Sequence, residues 1–363
     1  MYRFASIEQV HLEVTSRCNA ACPQCPRNLS GGPVNPSLPL EDLSVADVRA
    51  IFPDDFVRQL KSIYLCGNYG DPMVARDTLA ILAYFRSCSA TVKLGIHTNG
   101  SGRDARWWTD LAGLVDYCRF GIDGLEDTNA IYRRNTSWSR IMASVDAFVR
   151  AGGNAEWDFI VFEHNEHQVD LAIERSKQLG FSKFFVKRTG RFFSQHDPSS
   201  AQPREVRAPS GEPLYTIAAP RTAGFRNDAA RSATESGHSR DSYRRHLEST
   251  PIRCKVTAPA KLYISAGALV LPCCHLGNIY PPHRPRPGSG ALAVLALLPE
   301  ALEKLDARRH GVREIVEGPF FQSIVPGGWQ PGPLGTTRHE PCARVCGEGF
   351  DINAAQYSPS ALR

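Results

Sequence analysis

Between Glu8 and Lys187 six short strand-like stretches alternate with five runs of helical spacing. Glu8–Thr15 alternates apolar and polar side chains, as a strand with one buried face does. Leu40, Leu43, Val48, Ile51 and Phe52 then return every three or four positions, and Pro53 closes that run. Lys61–Cys66, Val92–His97, Tyr117–Ile122, Trp157–Phe162 and Phe184–Lys187 read as strands two to six. Helical signals fill the gaps at Thr78–Phe85, at Asp104–Leu114, along the face Trp138, Ile141, Met142, Val145, Phe148 and Val149, and from a candidate cap at Asn165 to Leu179. Gly152-Gly153 and Gly180 supply the stops. Strands that alternate with helices pair in parallel, because each helix carries the chain back to the starting edge. The pattern therefore predicts an α/β chain with a parallel sheet, helices outside it, and two units fewer than a closed eight-unit barrel. In such a layout ligands belong at the loops that follow the strands.

The 363 residues predict about two domains. With 42% hydrophobic and 22% charged residues the chain has the balance of an ordinary globular protein. No stretch approaches the roughly 18 apolar residues of a membrane helix, and the start lacks the apolar core of a secretion signal. These features predict a cytoplasmic protein with no membrane partner. Net charge is only +5, and aromatic and basic residues do not interleave along one face, so nucleic acid is not an expected partner. Residues 201–253 carry nine Arg against six acidic residues, which reads either as a solvated insertion or as a basic rim for an anionic substrate. After Ser194 the periodicity dissolves. Lys261–Ile264 and Ala268–Leu271 then flank Ser265-Ala266-Gly267 as a hairpin, and a Pro/Arg run at 281–288 precedes a helix around Pro299–Val316. Three regions follow: a barrel at 1–193, a linker or insertion with little regular structure at 194–253, and a small cysteine-rich domain at 254–363.

Eleven cysteines without a secretion signal point to metal or redox chemistry rather than disulfides. Cys18-x3-Cys22-x2-Cys25 stands directly after the first strand. Three thiolates in eight residues suit three irons of a [4Fe–4S] cube and leave the fourth iron open to an outside chelator. The alternative is zinc, which takes four protein ligands in structural sites and draws its cysteines in pairs. Far downstream, Cys254-x18-Cys273 and Cys342-x3-Cys346 offer four thiolates, enough for a fully ligated second cluster or for a zinc ribbon. Either metal would fold this region, which has little apolar core of its own.

Further segments at strand ends bring a resemblance into view. Gly67-Asn68-Tyr69-Gly70-Asp71-Pro72 follows strand two, His97-Thr98-Asn99-Gly100 ends strand three, and Gly121-Ile122-Asp123-Gly124 ends strand four, with Arg133 and Arg134 beyond. With the CX3CX2C loop these resemble the radical S-adenosylmethionine (SAM) superfamily, over residues 8–192. The resemblance implies a partial (β/α)6 TIM-like barrel, SAM as cofactor, and a catalytic [4Fe–4S] cluster on Cys18, Cys22 and Cys25. It implies that Gly67, Asn68, Tyr69, Gly70 and Asp71 line the methionine amino group, as the family's GGEP segment does. Thr98 belongs to the "TNG" of peptide-modifying members. Gly121 stands where a ribose-binding serine is common, which passes that role to Asn99 or Asp123, and Gln24 replaces the usual aromatic before the third cysteine. Arg133 or Arg134 suits the SAM carboxylate through two hydrogen bonds, each with a plain solvated arginine as its alternative. The run Gly267 to Cys274 and the pair Cys346-Gly347 resemble the SPASM extension in its shortened twitch form. That likeness implies one auxiliary [4Fe–4S] cluster on Cys254, Cys273, Cys342 and Cys346.

Of the remaining cysteines, Cys88 and Cys118 read as small buried hydrophobes, while Cys66 and Cys274 are candidate hydrogen-atom donors to a substrate radical. Lys187, Thr189 and Arg191 follow strand six and are candidate substrate ligands. The expectation is a radical SAM enzyme that cleaves SAM reductively, takes a hydrogen atom from its substrate, and draws electrons from a donor such as flavodoxin or ferredoxin. The substrate class has two readings. One is a peptide that is crosslinked, epimerised or oxidised, against which stands a chain that starts at strand one with no leader-binding domain. The other is a small natural product such as an aminocyclitol or sugar. A reading of another class is a non-catalytic iron–sulfur or zinc scaffold.

Overall fold

A computed structural model describes residues 1–192, 202–227, 240–282, 289–349 and 357–361. Along the chain run β1 (Gln9–Leu12), α1 (Val45–Ile51), α2 (Asp54–Gln59), β2 (Ser62–Leu65), α3 (Thr78–Cys88), β3 (Lys93–Thr98), α4 (Ala105–Ala112) and β4 (Tyr117–Gly121). Then come α5 (Asn129–Tyr132), α6 (Trp138–Arg150), β5 (Ala155–Ile160), α7 (Val169–Gln178), β6 (Lys183–Lys187), β7 (Arg204–Arg207), β8 (Pro213–Ile217) and α8 (Arg240–Ser249). The last elements used below are β9 (Lys261–Ile264), β10 (Val270–Leu271), α9 (Gly290–Leu295), α10 (Ala301–Lys304), α11 (Val312–Glu317), α12 (Glu340–Cys346) and β11 (Tyr357–Ala361). β1 to β6 follow one another in sequential order with helical crossovers, which is a partial (β/α)6 TIM-like barrel. The chain divides into two compact units, each drawn from separated segments: residues 1–17, 37–94 and 244–351 form the first, and 18–36, 95–243 and 352–363 the second.

In the first unit the strand order is β10-β9-β1-β2. β1 is parallel to both neighbours, with Gln9 opposite Ser62 and Lys261, and β10 returns antiparallel to β9. Alternation sorts the side chains: Val10, Leu12, Ile63, Leu65, Leu262 and Ile264 are buried on one face, which leaves His11, Glu13, Tyr64, Cys66, Lys261 and Tyr263 on the other. α1 starts in a capping box, in which Ser44 Oγ accepts from Asp47 N while Asp47 Oδ2 accepts from Ser44 N. In the second unit β3, β4, β5 and β6 are parallel and β11 is antiparallel to β6. All six residues of β5 are buried, as a strand covered on both faces requires. Asp104 caps α4 at Trp107 N, and α6 buries Ile141, Val145 and Phe148.

Four expectations change. α2 forms between Pro53 and β2, where no helix was expected. The helix around Pro299–Val316 splits into α10 and α11, because Asp306 turns the chain: its Oδ1 accepts from Arg308 N and its backbone bridges Leu269. The 194–253 segment contains regular structure, a β7–β8 hairpin whose Val206 and Ile217 are buried; its residues 193–201 and 228–239, and most of the Pro/Arg run, lie outside the described residues. The C-terminal region also has apolar core of its own, with Val312, Ile315, Val316, Phe320 and Phe321 buried. Among the described residues no helix is long and apolar enough to cross a membrane.

Candidate functional site

The second unit holds the three-cysteine loop. Cys22 is buried in an apolar cluster with Tyr132, Ile160, Phe162, Phe192, Val206 and Ile217, and Cys18 and Cys25 pack against it. The loop is folded by its own backbone: Cys25 N donates to Cys22 O at 3.0 Å, and Ala20 N donates to Cys18 Sγ at 3.3 Å. Side chains from the ends of β3 and β4 reach it. Asn99 Nδ2 donates to Asn19 Oδ1 at 2.9 Å and lies 3.8 Å from Cys18 Sγ, while Thr98 Oγ1 accepts from Gly100 N and shapes the turn. Arg133 Nη1 stands 3.9 Å from Cys22 Sγ, and its Nε donates to Asp123 Oδ2 at 2.6 Å. Asp123 is fully buried, and its Oδ1 accepts from Ile160 N. Burial pushes the Cys22 thiol up to about 11, against the pull of Arg133. Burial also opposes the Arg133 charge, yet Asp123 and Cys22 outweigh it and hold the guanidinium above its ordinary value.

The two arginines separate here. Arg133 touches the cysteine loop, whereas Arg134 Nη1 donates to the carbonyls of Gly31 and Arg207 and so ties loop to hairpin. Gly121 has a physical reason: a Cβ there would come within 2.5 Å of Arg133 Nη2, so a serine would displace the guanidinium. Gln24 carries both amide atoms buried, with no hydrogen-bond partner among the described residues. Asn165 does not cap α7; its side chain is buried and joins Asp123 O, Ile160 O and Phe162 N. Of the residues after β6, Lys187 Nζ lies 3.7 Å from Asp158 Oδ2, Thr189 is buried and accepts from Arg191 N, and Arg191 Nη1 reaches Gln24 O and Tyr132 OH at 3.4 Å. Asp158 was not anticipated. Its Oδ1 is buried without a hydrogen bond, 3.7 Å from Arg119 Nε, and burial raises its carboxyl above the usual range despite Lys187 and Arg119.

The first unit holds the Gly67–Pro72 segment. Glu13 Oε1 accepts from Tyr69 N at 2.8 Å and Gly70 N at 3.0 Å, and Tyr263 OH donates to Glu13 Oε2. Glu13 is fully enclosed, and burial raises its carboxyl above the ordinary value against these donors. A Cβ on Gly70 would lie 1.7 Å from Thr15 O, so only glycine lets this turn approach the end of β1; a Cβ on Gly67 would lie 2.2 Å from Gly70 O. Asn68 Nδ2 donates to Cys274 O at 2.7 Å, Tyr69 OH donates to Asn278 Oδ1, and Asp71 N donates to Arg17 O. His11 Nε2 donates to Cys66 O at 2.6 Å, its ring stacks on Tyr64, and burial lowers it to about 3. Burial pushes the Cys274 thiol up to about 11; Lys261 opposes this and Cys66 adds to it. The structure thus brings Cys66, Cys274 and Lys261 into one neighbourhood.

The other four cysteines also meet in the first unit. Cys346 donates to Cys254, which drops to about 6 with further help from Thr257 and the Val256 and Thr257 amides. Burial raises Cys273 to about 12, with Cys274 and Cys254 adding to it, and raises Cys342 further, with Cys273 and Cys254 again adding. Arg253 N donates to Cys346 O, and an Ile252–Gly347 bridge fixes the end of α12. Arg338, with no exposed surface, holds this corner by donating to the carbonyls of Leu247, Trp329 and Thr250.

Residues 12–174 match the family described as the radical SAM superfamily. Over 181 residues the chain is 25% identical to molybdenum cofactor biosynthesis protein 1 of Drosophila melanogaster, a match that covers 49% of the chain and 31% of that protein. The chain therefore spans about a third of the length of this curated relative. Two solved structures share the fold with a TM-score of 0.53 each: Streptococcus suis SuiB bound to its precursor peptide SuiA, at 12% identity over 88% of this chain and 67% of that one, and anSMEcpe with bound AdoMet, at 11% identity over 88% and 79%.

Sequence reasoning missed Glu13, Tyr132, Asp158 and Tyr263. Glu13 and Asp158 sit at strand positions whose alternation assigns them to the polar face, a signal that was there to be read. Tyr132 and Tyr263 carry no such mark.

Proposed function

We propose that this chain is a radical SAM enzyme that modifies a peptide, with Cys18, Cys22 and Cys25 holding the catalytic [4Fe–4S] cluster. The observation that carries the reading is the gathering of Asn99, Arg133 and the unpartnered amide of Gln24 around that loop. Among the described residues no three His, Cys, Asp or Glu side chains stand ready to hold a metal ion. A four-iron cube makes a different demand, because each thiolate bonds its own iron and the sulfurs stand apart around it. The loop's thiol-only donor set fits that demand. Held by these three residues and reduced by an outside electron donor, such a cluster would supply the single electron for cleavage of SAM to methionine and a 5′-deoxyadenosyl radical, the species that would take a hydrogen atom from the substrate.

The chain's own residues orient and shield. Arg133, anchored by Asp123, offers its remaining N–H groups to the SAM carboxylate. Gly67 to Asp71 bring backbone groups to the methionine amino end. Gln24 presents a donor and an acceptor where an aromatic face is usual, which suits the edge of adenine. Asn99 or Asp123 serves the ribose. Thr98 fixes the turn that presents Asn99. Lys187, with Arg191 and Thr189 behind it, borders the substrate.

The four C-terminal cysteines, Cys254, Cys273, Cys342 and Cys346, would hold one auxiliary [4Fe–4S] cluster in a twitch-type domain. The meeting of their thiols across three chain segments supports this assignment. Cys66 and Cys274, beside one another, are the candidates to return a hydrogen atom. Eleven free thiols suit a reducing cytoplasm and an electron donor such as flavodoxin or ferredoxin. The peptide reading draws on the likeness of fold to a structure that holds a precursor peptide.

The test is release of 5′-deoxyadenosine from SAM by anaerobically reconstituted, reduced protein, with Cys22→Ala beside it. Release that needs Cys22 is the expected outcome. Protein that holds iron and sulfide but releases none, even with candidate peptides present, overturns the reading.

A further inference from the structure

In the first unit the loop after β1, the β9–β10 turn and the chain around Asp306 enclose a cavity of about 180 Å³ that neither cysteine set uses. Much of its wall is apolar, from Leu38, Leu269, Leu271 and Ile279. Its charged groups are mostly committed. Glu13 accepts from two backbone amides and from Tyr263. Asp306 takes Arg308 in a fork, at 3.0 Å from both Nε and Nη2, and Arg308 Nη2 also donates to Gly267 O. Glu41 differs. Its backbone N is fixed to Ser16 Oγ at 2.8 Å. Its carboxylate lies against Gly267, where a Cβ would come within 2.5 Å of Oε2, and it accepts no hydrogen bond among the described residues. Glycine at 267 is what admits the carboxylate to this wall. Beside it Leu40, between the lining residues Pro39 and Glu41, is 45% exposed, and the lining residue Leu302 is 56% exposed.

Arg308 feels the Glu41 charge but spends its N–H groups on Asp306 and Gly267 O, so an apolar sleeve with one carboxylate that still has its hydrogen bonds to accept, and leucines at its side, matches a cation on an aliphatic stem. A sugar or cyclitol would ask for hydrogen-bond partners on many sides, and these walls supply few. We propose that the cavity takes a lysine or arginine side chain of the peptide substrate, with its charged head on Glu41, while Leu40 and Leu302 meet apolar neighbours in the same peptide. The assignment rests on the peptide reading above, and it adds the substrate feature that the first unit recognises.

The test is binding, so that it stands apart from catalysis. Anaerobically reconstituted protein is titrated with N-acetyl-lysine methylamide and with the neutral N-acetyl-norleucine methylamide, followed by ligand-observed NMR. The lysine probe should bind at least about fivefold more tightly, the scale of a charge-assisted contact at a partly exposed site. The preference should vanish in Glu41→Gln. It should vanish also in Leu302→Lys, a change at an exposed position that brings a competing ammonium to the cavity. Substrate-free 5′-deoxyadenosine release should be the same in both variants as in the parent. Equal binding of the two probes, no binding of either, or a preference that survives both variants overturns the proposal. Lysine-selective binding in a protein that never cleaves SAM would leave the cavity assigned and the enzyme reading overturned.

Discussion

The loop after β1 and the C-terminal region each gather cysteines, all of them free thiols, by opposite routes. Cys18, Cys22 and Cys25 are neighbours in sequence, so chain connectivity alone sets their spacing, and the fold supplies surroundings: an apolar floor, Asn99, and the Asp123–Arg133 pair. Cys254, Cys273, Cys342 and Cys346 come from three separate segments. They meet only once the β9–β10 hairpin, α12 and the buried Arg338 are in place. Burial raises Cys22 in the loop and Cys273 and Cys342 in the assembled set alike, and only within the Cys346–Cys254 pair does a donated hydrogen bond lower a thiol. A local loop can hold its ligand without the fold depending on it; an assembled set ties ligand and fold together.

That contrast can be broken most decisively at Cys22. Cys22→Ala should abolish 5′-deoxyadenosine release and lower iron content from about eight to about four per chain, with little change in the unfolding midpoint. A large loss of stability would show that the loop too is part of the fold. Cys346→Ala should do the reverse: iron falls by a similar amount, substrate turnover is lost, most SAM cleavage remains, and the melting temperature drops. Unaffected turnover would remove the C-terminal set from the reaction.

The surroundings of the loop give a third test. Asp123→Ala leaves the Arg133 charge in a buried setting without its partner, which should cost about 3–5 kcal/mol in a denaturant titration. Removing the exposed Asp146 partner of Arg150 should cost under about 1 kcal/mol. Acid supplies the smallest effect. Burial lowers His11 from 6.5 to about 3, so below pH 6.5 the unfolded chain takes up a proton that the folded one refuses. Stability should therefore fall as pH drops, by about 2 kcal/mol between pH 6.5 and 5. His11→Phe should flatten that slope in urea midpoints measured across the range.

Most of the barrel was legible because its signals are local. Strand alternation placed β1 to β6 within a few residues, and Ser44, Asp104 and Ser137 cap their helices as short polar residues do. The cysteine spacing and the glycine turn after β2 were likewise written in consecutive residues. What escaped depends on distant partners. Asn165 looked like a cap and instead joins the ends of β4 and β5. Arg133 and Arg134 are adjacent and chemically equal, and only the fold sends one to Cys22 and the other to the hairpin carbonyls. The β7–β8 hairpin lay hidden in an Arg- and Pro-rich stretch because Val206 and Ile217 are its only fully buried apolar anchors. The helix expected around Pro299–Val316 was broken by Asp306, whose partner Leu269 lies far back in the chain.

The bare backbone of Gly121 has a consequence for how such chains vary. The Arg133 guanidinium fills the space that a side chain at 121 would need, so the order of change matters. A serine at 121 would require the guanidinium to swing away from Asp123 or to be replaced by something shorter, whereas glycine at 121 accepts any residue at 133. Across related sequences a loss at 133 should therefore come before a gain at 121, and not the reverse.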